Sequence, residues 1–246
     1  MNHMRLISDT VNDLKHSEIV RIYEMAVRME DVIVLAMGQS DFDTPDNVSL
    51  AGIKAICGKY TRYTDDLGIE ELRAAISDYI DRRYGVKYEP KNEIIAAAGV
   101  SNAIDTVLRS IINPGDEIIV HQPSYNSYIP CIRLAGGKPV IIETYADDGF
   151  KLSPDRLRET ITERTKALIL SYPNNPTGAC MEREELLAIR DVIADKDILV
   201  LSDEIYSEIY FEGRFTSFAS LPGMKEKTIV LNGVTKSFSM PGWRLG

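Results

Sequence analysis

The chain has 246 residues, enough for one large domain, and its 44% hydrophobic and 26% charged residues are typical of a globular protein. Its 28 Lys and Arg residues are outnumbered by 37 Asp and Glu residues, which gives a formal net charge of −9. This balance argues against a surface for nucleic acid or anionic membranes, because both need clustered positive charge.

The cysteines and the N-terminus indicate no metal site and no export. Cys57, Cys131 and Cys180 are far apart and match no CxxC or Cys/His pattern, so we expect neither a zinc site nor a disulfide framework. The N-terminal stretch lacks the apolar segment of a signal peptide, and no later run approaches the length of a membrane span. We therefore expect a cytoplasmic protein without a membrane partner.

Two amphipathic helices are predicted in the first third of the chain. Apolar residues recur at helical spacing in 17–30 and again in 68–85, where Gly85 closes the pattern. Between these helices, "VIVLAMGQSDFDTP" (32–45) is an apolar run that leads into a loop rich in acidic residues.

The rest of the chain alternates between short apolar runs and helical patterns. Six runs are predicted strands: 93–99, 116–125, 138–144, 166–173, 198–204 and 228–233. Helices are predicted in 101–112, where Ser101 is available as the N-cap, in 153–162 and in 182–194. This alternation indicates an α/β fold with a parallel sheet covered by helices on both faces. Such folds bind ligands at the carboxyl ends of their strands.

Three segments at predicted strand ends are candidates for ligand binding. Gly99, followed by a helix start at Ser101–Asn102, is either an anion site made of free N–H groups or an ordinary strand–helix junction. Tyr125 either stacks on a flat ligand or packs beneath a loop. The segment "SYPNNPTGA" (171–179) is either a plain turn or a rigid turn that presents Asn175 to a ligand, and its two prolines favour the rigid turn. An X-Pro bond here is a candidate cis peptide.

Charged residues follow the last two predicted strands. Asp203 ends a buried strand, so its carboxylate either pairs with a ligand or caps the next segment. Lys236 is either a solvated surface residue or, in a desolvated site, a nucleophile that forms Schiff bases with carbonyls. Arg244 offers a planar fork suited to phosphate or carboxylate.

Seven motifs, in order along the whole chain, resemble those of the class I/II aminotransferases, which are pyridoxal-phosphate enzymes of fold type I. They are "GQSDFDTP", "RYTDDLGIEELRAAI", "AAGVSNA", "NPGDEIIVHQPSY", "YPNNPTG", "SDEIYSEIYF" and "TKSFSMPGWRLG". Within the family the chain is most similar to aspartate and related amino-acid aminotransferases. The resemblance implies that residues 1–45 contribute to a small domain and to the active-site edge. Residues 46–246 would form the large domain, which binds pyridoxal 5′-phosphate.

The resemblance also assigns roles around the cofactor ring. Lys236 would hold the cofactor as a Schiff base and later carry the substrate proton, while Asp203 would pair with the pyridine nitrogen. Asn175 and Tyr206 would hydrogen-bond the phenolic oxygen of the ring, and Tyr125 would stack on its face. Lys236, Asp203 and Tyr206 are therefore the predicted catalytic residues.

The phosphate and substrate positions follow from the same resemblance. The cofactor phosphate is assigned to a helix start, a threonine and an arginine: Val100, Ser101, Asn102, Thr235 and Arg244. Tyr63 would reach the phosphate of the neighbouring subunit in a homodimer with a shared active site. Gly38 and Asn175 would lie beside the substrate. Gly233 stands where many relatives carry a phosphate-binding serine, and Thr235 would take over that contact.

The implied reaction is transamination between an L-amino acid and a 2-oxo acid. A carbon–sulfur lyase of the same fold, an effector-binding domain of a transcription regulator and an inactive truncated fragment are the alternatives. Family members continue past "WRLG" into a further strand, helices and an arginine that grips the substrate α-carboxylate. We therefore expect the 246-residue chain alone to be unstable or to aggregate, and to lack turnover.

Overall fold

A five-stranded parallel sheet forms the centre of the structure, a computed structural model that describes residues 6–14, 18–35 and 38–246. The strands are β1 (Glu117–Gln122), β2 (Lys138–Glu143), β3 (Thr165–Ser171), β4 (Leu199–Asp203) and β5 (Thr228–Leu231). They lie in the order β2-β1-β3-β4-β5, and every neighbouring pair is parallel. The parallel α/β fold predicted from the sequence is confirmed.

Nine α-helices are found in the described part of the chain. They are α1 (Asp9–Asn12), α2 (Glu18–Ala26), α3 (Asp46–Cys57), α4 (Glu70–Tyr84), α5 (Val100–Ile111), α6 (Tyr128–Leu134), α7 (Pro154–Thr160), α8 (Arg183–Ile193) and α9 (Val234–Ser237). Gly85 ends α4 in the left-handed conformation, as the sequence predicts. Ser153 caps α7 by accepting the N–H of Arg156.

Helices cover both faces of the sheet because side chains alternate along each strand. On one face, Ile118 and Ile169 pack with Leu108 of α5 and the residues of α6. On the other face, Leu168 packs with Ile189 of α8 and the residues of α7. Helix α4 packs separately, near β5.

Two local predictions around α5 are wrong. Residues 93–99 form no strand, because this segment exchanges a reciprocal pair of hydrogen bonds with only one residue: Ala97 N donates to Gly246 O (2.7 Å), and Gly246 N donates to Ala97 O (2.9 Å). One such pair does not make a ladder. Ser101 is not the N-cap of α5, since Gly99, with φ 89°, takes that position and the helix begins at Val100.

The carboxyl ends of β1, β3, β4 and β5 lie along one edge of the sheet. The Asn175–Pro176 bond after β3 is cis, as its sequence suggested, and so are Tyr172–Pro173 and Gln122–Pro123. Within the described ranges, no helix has the length and apolar character needed to cross a membrane.

Candidate active site

Asp203, the last residue of β4, is a buried carboxylate with two hydrogen-bond donors. Tyr128 OH donates to its Oδ2 (2.6 Å), and the N–H of Ile205 donates to its Oδ1 (3.2 Å). Burial raises the pKa of Asp203 to about 6, and both hydrogen bonds oppose that rise. The residues that follow form a turn and no helix, so Asp203 is not a helix cap.

Tyr128 is the site residue that the sequence analysis missed. It begins α6, is 1% exposed, and its ring contacts that of Tyr125 edge to face, with centroids 5.5 Å apart. The Tyr125 hydroxyl in turn lies 3.1 Å from the Ser101 hydroxyl at the start of α5. The available signal was "QPSYNSY", which places a second tyrosine just after β1.

Tyr206 and Asn175 lie beside these residues. Burial raises the pKa of Tyr206, the nearby acidic groups of Asp203 and Tyr125 raise it further, and a side-chain hydrogen bond with Asn175 opposes them. Asn174 differs from Asn175, because its buried Oδ1 accepts hydrogen bonds from the N–H (3.2 Å) and hydroxyl (2.9 Å) of Thr177. Asn174 thus holds the turn, which leaves Asn175 to face Tyr206.

Lys236 lies in α9 and is partly buried against the loop that contains Gly38. Its Nζ donates a hydrogen bond to Gly38 O and lies 5.8 Å from the ring centroid of Tyr206. Burial lowers the pKa of Lys236, which increases its neutral, nucleophilic fraction. A Cβ at Gly38 would lie 3.0 Å from Nζ, so only glycine allows this approach without a shift. The alternative of a fully solvated lysine is excluded.

An arginine meets a helix start at the other end of the site. A Cβ on Gly99 would lie 2.3 Å from Nη2 of Arg244, which donates to Ala98 O (3.3 Å). The first N–H groups of α5, those of Val100 and Ser101, have no acceptor within the helix by position. Helix dipole and guanidinium together favour an anion such as phosphate.

The remaining predicted residues vary in their placement. Thr235 directly precedes Lys236 in α9, and Asn102 Oδ1 accepts the N–H of Ala98 (3.2 Å). A Cβ at Gly233 would lie 2.9 Å from Leu245 O. The serine that many relatives carry at this position would therefore collide with the backbone here. Tyr63 is fully exposed and is not brought to the site within this chain.

Glu204, which follows Asp203 in sequence, is a second buried carboxylate. Its Oε1 accepts hydrogen bonds from Ser202 Oγ (2.9 Å), Ser217 Oγ (2.8 Å) and the N–H of Phe218 (3.2 Å). Burial raises the pKa of Glu204 to about 7 against these bonds. Its backbone N–H donates to Leu231 O (2.8 Å), which fixes the chain between Asp203 and β5.

These residues fit a flat, anionic ligand with a carbonyl group. A buried carboxylate, an aromatic pair, an amine of lowered pKa and an arginine at a helix start are linked by contacts along one sheet edge. No metal-binding cluster of His, Cys, Asp or Glu occurs in the residues that the structure covers. The fold is that of a parallel α/β protein, and these residues, with Lys236 among them, form its candidate site for such a ligand.

Comparison with known proteins identifies the family. Residues 30–246 match the family model for aminotransferase class I and II. The aspartate aminotransferase of Pyrococcus abyssi is 39% identical over 241 residues, and the aromatic-amino-acid aminotransferase 2 of Thermococcus litoralis is 38% identical over 241 residues. Both alignments cover 98% of this chain and 62% of the relative. The chain belongs to the class I and II aminotransferases.

A solved structure agrees with this assignment. The aspartate aminotransferase from Thermus thermophilus with maleate superposes with a TM-score of 0.93 at 37% identity, covering 98% of this chain and 63% of that one. The chain therefore spans less than two thirds of the length of these relatives. The family depends on pyridoxal 5′-phosphate, so the predicted family, fold type and cofactor are confirmed. The roles of individual site residues stay predictions.

Proposed function

We propose that the protein transfers the amino group of an L-amino acid to a 2-oxo acid, with Lys236 as the residue that binds pyridoxal 5′-phosphate covalently. The observation that carries this proposal is the partly buried Lys236 amine of lowered pKa, held between Gly38 O and the Tyr206 ring. The named relatives act on different donors, aspartate in one and aromatic amino acids in another. The proposal therefore extends to amino acids as a class.

Several residues around Lys236 would each contact a different part of the cofactor. When bound, pyridoxal phosphate supplies an electron-accepting ring that stabilises negative charge at the substrate α-carbon. The Asp203 carboxylate would hold a proton on the pyridine nitrogen. Asn175 and Tyr206 would hydrogen-bond the phenolic oxygen, and the Tyr125 ring would stack on the heterocycle.

The phosphate group would bind where the N–H groups of α5 begin. Val100, Ser101 and Asn102 would offer backbone and side-chain donors, and Arg244 would neutralise the charge. Thr235 would add a hydroxyl from the side of α9. The hydrogen bond from Arg244 Nη2 to Ala98 O (3.3 Å), next to Gly99, supports this assignment.

Lys236 would also move the proton. Once the substrate amine has displaced it, its Nζ would take the proton from the substrate α-carbon, and a lowered pKa favours the neutral amine that this needs. Gly38 and Asn175 would border the substrate. The hydrogen bond from Lys236 Nζ to Gly38 O supports a position of the amine beside the proposed substrate site.

Replacing Lys236 and comparing it with another lysine tests the proposal. In a version of the chain extended with the C-terminal region that its family members carry, we expect a visible absorbance band with pyridoxal phosphate and amino-group exchange, and we expect Lys236→Ala to abolish both. Lys87→Ala, which removes an exposed lysine, is the control and should keep both. Release of ammonia with a 2-oxo acid, in place of exchange, would favour the carbon–sulfur lyase alternative. An unchanged band in Lys236→Ala would refute the role of Lys236.

The assembly and the domain division belong to the same proposal. A homodimer with a shared active site would let the fully exposed Tyr63 reach the partner's cofactor phosphate, and sedimentation measures whether the dimer exists. Residues 1–45 would form the small domain and active-site edge, and 46–246 the large domain. The Gly38 contact and the hydrogen bond from Thr44 Oγ1 to Ser239 O (2.7 Å) support that edge. We propose a cytoplasmic location.

A further inference from the structure

A cluster outside the site joins α4 to the turn that follows Asp203. The Glu208 carboxylate accepts hydrogen bonds from Tyr79 OH (2.7 Å), Tyr84 OH (2.8 Å) and Arg83 Nε (2.9 Å) on Oε1, and from Arg83 Nη2 on Oε2. Three residues of one helix thus bind one carboxylate, which lies two positions after Tyr206. The Glu208 side chain is 21% exposed, so water competes only in part.

The same cluster reaches the segment before Lys236 through a chain of hydroxyl groups. Ser207 Oγ lies 2.8 Å from Tyr84 OH and accepts a hydrogen bond from Asn232 Nδ2 (3.2 Å). Tyr84 has one hydroxyl proton and gives it to Glu208, so Ser207 must donate to Tyr84. The bonds therefore run in one direction, from Asn232 through Ser207 and Tyr84 to Glu208.

The segment after Lys236 also contacts α4. Phe238, two residues beyond Lys236, packs against the Tyr79 ring with centroids 6.2 Å apart. Helix α4 therefore contacts the chain on both sides of Lys236. Before Lys236 the contact runs from Tyr84 through Ser207 to Asn232, and after Lys236 the Tyr79 ring packs against Phe238. Helix α4 binds the Tyr206 turn through Glu208.

We propose that Glu208 is a positioning residue. Through α4, it fixes the turn that contains Tyr206 (205–208) relative to the segment that contains Lys236 (232–238). It touches neither Tyr206 nor Lys236 with its carboxylate and acts through Tyr79, Tyr84 and Arg83. The inference rests on the proposed function, which gives Lys236 and Tyr206 their roles.

The ionisation of Glu208 is consistent with this task. Burial alone would raise its pKa, but the hydrogen bonds from Arg83, Tyr79 and Tyr84 hold the pKa below its usual value. Glu208 is therefore charged at neutral pH, and a charged acceptor binds its donors more strongly than a neutral one.

The test compares Glu208→Gln with a matched control in the apoprotein. Glutamine keeps the shape but loses the charge and one acceptor facing Arg83. Loosening the turns would expose Lys236, so its pKa, measured by competitive acetylation and mass spectrometry, should rise toward the usual value. The Kd for pyridoxal phosphate should rise about tenfold, the size expected when several coupled contacts weaken together. In the extended version of the chain, loaded with pyridoxal phosphate, a fall in kcat with little change in KM is expected.

Two further variants show whether a change in the Lys236 titration is specific to the Glu208 cluster. Glu93→Gln removes a carboxylate that also joins distant segments, through Lys225 (3.2 Å), and should leave the Lys236 titration unchanged. Tyr79→Phe keeps the ring contact with Phe238 but removes one donor, so it should shift Lys236 less than Glu208→Gln does. It also replaces Glu208→Gln if that variant does not fold.

Lys236 acetylation separates this inference from the proposed function. A Lys236 titration in Glu208→Gln and Tyr79→Phe that matches wild type or Glu93→Gln would overturn the positioning role. Failure of wild-type protein to bind pyridoxal phosphate would instead overturn the proposed function, and the acetylation data would still decide the coupling.

Discussion

At the scale of single residues, burial shifts two opposite charges toward neutrality. It raises the pKa of Asp203 to about 6 and lowers the pKa of Lys236, because a low-dielectric environment disfavours either charged form. The Asp203 carboxylate is kept ionised in part by Tyr128, whose hydroxyl donates to Oδ2 at 2.6 Å. A cationic ring nitrogen beside Asp203 would stabilise the carboxylate further.

Removing the Tyr128 hydroxyl should therefore weaken cofactor binding. In Tyr128→Phe the pKa of Asp203 rises, since the lost hydrogen bond was lowering it, and the pH at which pyridoxal phosphate binds half-maximally moves upward. Unfolding free energy should fall by about 1–3 kcal/mol, the usual cost of losing a hydrogen bond to a buried charged group. Fluorescence titration with pyridoxal phosphate from pH 5 to pH 8 measures the shift.

Tyr172→Phe is the matched control for Tyr128→Phe. Tyr172 is also buried, and its hydroxyl donates to Phe150 O (3.0 Å) and accepts the N–H of Leu152 (2.9 Å), away from Asp203. It should lower stability and leave the binding profile in place. Equal profiles for Tyr128→Phe and Tyr172→Phe would contradict the role of Tyr128.

Glu204 should make the apoprotein less stable as the pH rises. Its folded pKa of about 7 lies above the unfolded value of 4.5, so the folded state holds the proton longer and loses relative stability between these pH values. Glu204→Gln cannot titrate, so the stability of wild type should fall relative to the variant by on the order of 2 kcal/mol between pH 5 and pH 8. Urea unfolding at each pH measures the difference.

His121 has the opposite effect and is present in both proteins. Burial lowers its pKa to about 4, so it stabilises the fold above its unfolded value of 6.5 and that contribution is lost as the pH falls toward 4. Because His121 is unchanged in Glu204→Gln, its contribution cancels in the difference. Parallel stability curves for wild type and Glu204→Gln would show that Glu204 is not the cause.

At the scale of elements, the start of α5 depends on a backbone conformation. Gly99 has φ 89°, which places Arg244 against the first turn, where a Cβ would lie 2.3 Å from its Nη2. The serine at 101 is instead used to contact Tyr125. The proposed anion site is therefore centred on the backbone N–H groups at the start of α5 and on the guanidinium of Arg244.

Gly99→Ala should displace Arg244 from the helix start. We expect the Kd for pyridoxal phosphate to rise about tenfold or more, as for the loss of a charge-assisted contact. Gly115→Ala is the control, because φ is 94° there but no atom lies within 4 Å of the new Cβ. Both variants carry similar backbone strain, so affinity measured by isothermal titration isolates the displacement. Equal affinities would contradict the anion site.

The sequence predicts elements better than it predicts their partners. Five strands were predictable because their residues are mostly apolar and often β-branched, and in β1, β3 and β4 nearly all of them are buried. Residues 93–99, which include three alanines, form no strand in the structure and exchange backbone hydrogen bonds with Gly246 only at Ala97. The N-cap at Gly99 depends on φ, and composition does not encode φ directly.

The same limit applies to the candidate site. Lys236, Asp203, Asn175 and Tyr206 follow apolar runs, so their position at the sheet edge was predictable. The hydrogen bond of Tyr128 depends on how α6 is oriented, and the bonds of Glu208 depend on how α4 packs. Those contacts arise from tertiary packing between segments distant in sequence.

At the scale of the whole molecule, parallel strand order brings distant residues together. Residues that follow β1, β3, β4 and β5 meet at one edge of the sheet, and α5 closes that edge from the side. The loop at Gly38 and the turn at Ser239 add contacts from distant parts of the chain. The candidate site is therefore a property of the fold, and we propose Lys236 as its chemical centre.

Reductive trapping identifies the lysine that binds pyridoxal phosphate covalently. Purified protein is mixed with pyridoxal phosphate, reduced with borohydride, digested and analysed by mass spectrometry, with Lys236→Ala treated in parallel. We expect one dominant phosphopyridoxyl modification, on Lys236, and its absence from the variant. Modification spread over exposed lysines, with Lys236 unmodified in folded wild-type protein, would contradict it.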